Sequence, residues 1–283
     1  MAPSNSKRTV LITGCSDGGM GAALAVAFHK AGLHVYATAR SPSAMTQVAS
    51  AGIETLTLDI QSDSSIATCV SKLKSLDILV NNAGASYSMP ISDLSIAESK
   101  KIFDVNVWAQ IVVTQAFLPL LLKSKGMIVN QTSVVASMAV PFQSVYNASK
   151  AAMVILSDSQ RLELAPFGIR VVDLRTGAVA TNIIKNQIKN TQVVLPKGSI
   201  YEPAREAVES AMRNDKMANA GVPAAQWAGQ VVQDLLKKTP PNVIWGGAQA
   251  NMARIGTFMP HGMLDGTIKK MTGIDVVERM VRK

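Results

Sequence analysis

Thr9-Val10-Leu11-Ile12-Thr13-Gly14-Cys15-Ser16-Asp17-Gly18-Gly19-Met20-Gly21 joins a continuous apolar run to a glycine-rich turn, and a helical pattern from Gly21 to Ala31 follows. The run from Thr9 to Thr13 is too uniformly apolar for a strand with one wet face, so it reads as a strand buried on both sides. The glycines allow positive φ and close approach of backbone to a ligand. The helix start after them presents free amides to an anion such as a pyrophosphate. A glycine-rich turn alone is only a loop; strand before and helix after make it a candidate phosphate cradle. Gly14, Ser16, Gly19, Met20 and Gly21 are its candidate contacts.

Outward from this unit, apolar β-rich runs alternate with helical patterns. Strands are expected at Leu33–Thr38, Ile53–Leu58, Leu76–Val80, Gly126–Gln131, Ile169–Leu174 and Asn242–Trp245. Helices are expected at Asp63–Lys74, at Ser95–Leu122 as one long element, and at Gln143–Ala165, which ends at Pro166. Continuous apolar strands separated by helices imply a parallel sheet covered on both faces, a doubly wound α/β fold. No linker, repeat or low-complexity run divides the 283 residues.

With 48% hydrophobic residues the chain has material for a full core, and its two cysteines, Cys15 and Cys69, make neither a disulfide framework nor a metal set. Dispersed His29, His34 and His261 offer no metal site either. The polar start from Met1 to Arg8 does not read as a signal peptide. The apolar stretch Ile111–Leu122, broken by Gln115 and Pro119, is too short to span a bilayer. Together these features place the chain in the cytoplasm. Eight basic and three acidic residues from Lys237 to Lys283 carry +5 of the formal +9. They are not interleaved with aromatics as a nucleic-acid surface would be. A solvated basic face or contact with anionic lipid headgroups remains.

The chemistry concentrates in Tyr146-Asn147-Ala148-Ser149-Lys150, with Ser133 thirteen residues before the Tyr. On a helix Tyr146 and Lys150 share a face. An ammonium there favours the phenolate of a group whose ordinary pKa near ~10 is too high for proton transfer at neutral pH. Ser133, at a strand end, can donate to the same substrate oxygen. At the end of the second strand, Ala37-Thr38-Ala39-Arg40 lacks the carboxylate that binds both ribose hydroxyls. Arg40 there suits a 2′-phosphate, hence NADP, although it also reads as a surface arginine. Asp59 follows the third strand, placed for an adenine edge. Cys15 has no adjacent base and is not read as a nucleophile.

These motifs, with Asn81-Asn82-Ala83-Gly84 and Asn106, fall in the order of the short-chain dehydrogenase/reductase family, which the chain resembles from about Val10 to Thr181. The resemblance implies a single Rossmann-type domain, placed at residues 1–246, with a basic, Met-rich extension at residues 247–283. It implies a catalytic set of Asn106, Ser133, Tyr146 and Lys150. Tyr146 is then the proton donor or acceptor and Ser133 orients the carbonyl. Lys150 binds the nicotinamide ribose and lowers the Tyr pKa, and Asn106 holds a relay water. Asn82 also joins the cofactor contacts, and the pro-S hydride is the one transferred. Two departures are visible. One extra residue separates Gly14 from Gly19-Met20-Gly21, and Thr176-Gly177-Ala178-Val179-Ala180-Thr181 stands where the family usually begins Pro-Gly. Val179 and Thr181 can still meet the carboxamide, without the rigidity of the proline. Both departures are similar to fungal reductases of the 1-acyldihydroxyacetone-phosphate type, a subfamily that also enters fungal secondary-metabolite pathways and implies a cytoplasmic protein at most peripheral to endoplasmic reticulum or lipid droplets.

Val134 to Gln143 is almost wholly apolar and, with Asn182 to Gln226, is expected to wall the substrate site. If it faces the pocket rather than the core, it suits an apolar ketone or its alcohol. Lys185, Lys189 and Lys197 are candidates for a phosphate headgroup, or simply solvated. Met252, Met259, Met263 and Met271, set among Ile255, Phe258, Leu264 and basic residues, make an amphipathic tail that packs on the domain, on a second subunit or on a bilayer. Ile102, Val105, Phe117, Met153 and Ile155 distribute apolar surface around two helices, and a homo-oligomer, dimer or tetramer, is expected.

Overall fold

The computed structural model describes residues 7–181, 193–215 and 220–281. Its strands are β1 (Thr9–Ile12), β2 (His34–Ala39), β3 (Glu54–Thr57), β4 (Ile78–Asn81), β5 (Met127–Ser133), β6 (Arg170–Thr176), β7 (Val179–Ala180), β8 (Val222–Pro223) and β9 (Val243–Gly246). Seven of them form one sheet in the order β3-β2-β1-β4-β5-β6-β9, every pair parallel. Because β1 pairs with both β2 and β4, the chain reverses direction across the sheet there. The crevice beyond the carboxyl ends of β1 and β4 is where such sheets bind ligands.

Helices cover both faces, as uniformly apolar strands require. On one side α1 (Met20–Lys30) joins the helix Ala224–Leu235, and Leu24, Phe28, Trp227 and Val231 close over Val10, Ile12 and Val129. On the other, the helices Asp63–Ser71 and Ala109–Ser124 bury Ile66, Val113, Phe117 and Leu121 against Leu11, Leu79 and Ile128. The alternation Val10, Ile12 against Leu11 assigns successive side chains to opposite cores.

The long helix expected at Ser95–Leu122 is Ile96–Phe103 and Ala109–Ser124 joined by a π-turn at Asp104–Trp108. The resulting span, Ile96–Ser124, is long and apolar enough to cross a membrane by length and composition. That corrects the reading of this region as too short. Phe117 and Leu121 are nevertheless fully buried against the sheet, as in the core helix of an α/β protein. β5 and β6 each run two residues further than expected, since their paired register extends to Ser133 and Thr176. The sequence reading left the helix Ala224–Leu235 unassigned, although Trp227, Ala228, Val231, Val232 and Leu235 repeat at helical spacing. Of the residues expected on an outer apolar face, Ile102, Phe117 and Met153 are buried within the chain and Val105 packs beside them; Ile155 is 68% exposed.

A third, smaller core lies above the carboxyl edge of the sheet. Phe142, Val193, Leu195, Val208, Met212 and Val277 assemble it from the segment before Tyr146, the helix Arg205–Met212 and the C-terminal helix Ile274–Val281.

Candidate active site

The glycine-rich turn is joined to the end of β4 side chain by side chain. Thr13 Oγ1 accepts from the amides of Asn82 (3.0 Å) and Ala83 (2.9 Å), and Asn82 Nδ2 donates to the carbonyls of Thr13 (2.7 Å) and Gly14 (3.1 Å). Gly14 has φ 74°, and a Cβ there would stand 2.9 Å from Ala83 Cα. At Gly21 a Cβ would stand 2.4 Å from the Gly14 carbonyl oxygen, so no larger residue fits where α1 begins. Asp17, unassigned in the sequence, accepts the amides of Thr46 and Gln47 and caps the helix Thr46–Ser50. Ser16 is exposed at the turn, Arg40 is exposed just past β2, and Asp59 caps the turn after β3 through the amide of Gln61 at 3.0 Å.

A cavity of about 480 Å³ opens beside this cradle and brings together Met20, Asn82, Ser133, Tyr146, Lys150, Val179 and Thr181. β5 delivers Ser133 at its last residue, and Tyr146 and Lys150 project from the first two turns of the helix Ser144–Leu164. Ser133 and Tyr146 line the same cavity, close enough for the serine hydroxyl to act on the phenol. The Lys150 ammonium donates to the Gln131 carbonyl at 2.8 Å. Val134, Val135, Met138, Val140 and Pro141 face the cavity, whereas Phe142 enters the third core. Val134 to Gln143 therefore serves pocket and core at once. The segment Gly177–Thr181, lacking the proline, is held by main chain. Gly177 N donates to Gly246 O (2.8 Å), Ala178 and Ala248 exchange bonds (3.1 and 2.9 Å), and Val222 N reaches Ala178 O (3.3 Å).

Among the described residues, three buried acceptors on the cavity lining find no hydrogen-bond partner: Asn82 Oδ1, Gln131 Oε1 and Thr176 Oγ1. Buried polar atoms are rarely left so. With a glycine cradle at a helix start, these orphans fit a polar ligand such as a dinucleotide lying across the β1/β4 crevice.

The short chain dehydrogenase family profile matches residues 8–192. The chain belongs to the short-chain dehydrogenase family. Like its family, it is an NAD(P)-dependent oxidoreductase. It is 65% identical to a short-chain dehydrogenase/reductase of Pestalotiopsis microspora, over 98% of each chain. It is 37% identical to the NADPH-dependent 1-acyldihydroxyacetone phosphate reductase of Schizosaccharomyces pombe, over 90% of each. Among solved structures, a short-chain dehydrogenase from Streptomyces avermitilis superposes with a TM-score of 0.74 at 27% identity, covering 98% of both chains.

In this short-chain dehydrogenase Asn106 and Lys150 are each held by specific partners. Asn106 does not line the cavity. Its Nδ2 donates to Ala85 O (2.8 Å) and Ser149 Oγ (3.0 Å), and its Oδ1 accepts from Ala85 N (2.8 Å). The π-turn at Asp104–Trp108 places the amide between the loop after β4 and the helix Ser144–Leu164, which it ties together. Burial pushes the Tyr146 phenol up, with Ser133 acting the other way. Lys150 itself is lowered to about 8 by burial, with Asp173 acting the other way. Asp173 is missing from the sequence reading because it sits within an apolar strand. It accepts from Thr132 Oγ1 and from Arg175 Nε (2.7 Å), and the guanidinium stacks on Trp245 at 4.9 Å. Cys15 is sealed in the core, its thiol pushed up to about 12 by burial, which removes it as a nucleophile at neutral pH. Lys185 and Lys189 lie outside the described residues; Lys197 is exposed and does not line the cavity.

Proposed function

We propose that this short-chain dehydrogenase is an NADPH-dependent reductase of a ketone in an apolar, uncharged substrate of polyketide or terpenoid size. The observation that carries the reading is the cavity. Ser133, Tyr146 and Lys150 open onto an apolar chamber in which Lys150 is the only cationic side chain among the described lining residues. A volume of about 480 Å³ lies in the range of small-molecule sites.

NADPH, when bound, supplies the hydride. Gly14, Ser16, Gly19, Met20 and Gly21 would cradle its pyrophosphate, Arg40 its 2′-phosphate and Asp59 its adenine. Asn82 Oδ1, Tyr146 and Lys150 would meet the ribose, and Val179 and Thr181 the carboxamide. Tyr146, kept protonated by burial, gives its proton to the carbonyl oxygen. Ser133 donates to the same oxygen and fixes its position. Lys150 stabilises the phenolate that remains, and Asn106 is a positioning residue that holds the two walls together. Replacing Tyr146 by Phe should lower the single-turnover rate of NADPH oxidation by between ~10² and ~10⁴ while NADPH still binds. Undiminished reduction by this variant would remove the mechanism.

A second reading has one specific support, the 37% identity to the Schizosaccharomyces pombe reductase. A phosphate-bearing acyl ketone calls for cations that hold its headgroup. Reduction of 1-acyldihydroxyacetone phosphate in preference to neutral ketones would favour it.

The protein is further read as a homo-oligomer, dimer or tetramer, of the cytoplasm with at most peripheral contact with endoplasmic reticulum or lipid droplets. Trp108, Val112, Ile155 and Leu162 are exposed on two neighbouring helices and support the first part. Exposed Met252, Ile255, Phe258 and Met263 beside Arg254 support the second. Membrane association that survives high salt would overturn the peripheral location.

A further inference from the structure

Part of the cavity lining is built by the C-terminal extension. The helices Asp265–Thr272 and Ile274–Val281 meet at Gly273, which has φ 78° and approaches Ala207 of the helix Arg205–Met212. Ile268, Met271 and Val276 line the same cavity as Ser133 and Tyr146. All three are half-buried, and none belongs to a core cluster. Their apolar surface therefore has the cavity as its environment. The pair of helices is fixed in place rather than draped over the opening. Val277 is buried in the third core, and Lys269 Nζ bonds Glu278 Oε1 at 2.7 Å to clamp one helix to the other.

The same core fastens the catalytic side. Phe142, four residues before Tyr146, has φ 65°, a conformation that is strained for an aromatic residue and persists only where its surroundings enforce it. Here they do. Phe142 packs in the third core with Val277, meets the Tyr201 ring edge-on at 5.6 Å, and its carbonyl accepts from Met89 N at 2.7 Å.

We propose that the helical pair Asp265–Val281 is the wall that gauges the substrate, with Ile268, Met271 and Val276 as specificity-determining residues that select an uncharged ring or chain by its bulk. The proposal rests on the reading of this cavity as the ketone site. Methionine adapts to irregular shapes, so Met271 sets an upper bound on size rather than a single contour.

The test uses the full-length protein with cyclohexanone, β-tetralone and androstanedione. In Met271→Trp the ratio of kcat/KM for androstanedione to that for cyclohexanone should fall by about tenfold or more, and in Met271→Ala it should rise. NADPH titration by fluorescence reports that each variant is folded. Unaltered ratios in both variants overturn the proposal. Failure of the unmodified protein to reduce any of the three ketones would count instead against the ketone-reductase reading. The wall then has its own measurement: collisional quenching of bound NADPH fluorescence by acrylamide should increase in Met271→Ala/Val276→Ala, and equal quenching in both proteins overturns it.

Discussion

The ammonium of Lys150 stands 5.9 Å from the centre of the Tyr146 ring, one helical turn away on the same face. Burial acts on the two groups in opposite directions. It holds the proton on the phenol and loosens the proton on the lysine, whose pKa falls to about 8. Below that value the site contains a neutral acid beside a cation, the arrangement ketone reduction needs. Above it the cation is lost first.

Reduction should therefore hold level below pH of about 8 and decline above it, the declining limb belonging to Lys150. Arginine stays charged throughout this range. Lys150→Arg, though slower overall, should move the limb to higher pH. Profiles of kcat/KM for the two proteins check this, and coincident limbs would assign the decline to another group.

Arg40 should decide between the two nicotinamide cofactors. A hydrogen bond to a charged group contributes about 1.5–3 kcal/mol, and Asp in its place adds repulsion. Arg40→Asp should move the NADPH:NADH preference toward NADH by ~10-fold or more. Equal use of both cofactors by the unmodified protein would show that Arg40 is an ordinary surface residue.

The Asp173–Arg175 pair is buried, its side chains 4% and 14% exposed. Breaking such a pair costs about 3–5 kcal/mol, because one charge stays behind without its partner. Asp173→Asn should lower stability to urea on that scale. The double replacement Asp173→Leu/Arg175→Leu should cost less than the single one. Since Asp173 raises the Lys150 pKa, Asp173→Asn should also bring the declining limb of the pH profile to lower pH. A single variant as stable as the unmodified protein would mean that water reaches the pair.

Assembly through the two outer helices predicts that Ile155→Lys/Leu162→Lys, at positions 68% and 66% exposed, shifts the protein to monomers in sedimentation while preserving its fold by circular dichroism. A monomeric unmodified protein at micromolar concentration would remove the interface.

What the sequence determined by itself was local or periodic. The β1–turn–α1 unit, the alternation of apolar strands with helices, and the meeting of Tyr146 with Lys150 depend on spacings of a few residues, and backbone geometry converts those spacings into shape. The tertiary structure decided everything that rests on partners distant in the chain. Asn106 reads as a site residue from its place in the motif order, and only the fold shows that its amide bonds Ala85 and Ser149. Asp173 reads as an interruption in an apolar strand until Arg175 and Thr132 surround it. The Met-rich tail shows amphipathic periodicity, which states that a helix has an apolar side but not what that side meets. Packing of Val277 with Phe142 in one core supplies part of the answer and brings the helices of residues 265–281 to the cavity. Burial sets the direction of the pKa shifts at Tyr146 and Lys150 for the same reason. Desolvation is a property of the whole fold, and no spacing along the chain encodes it.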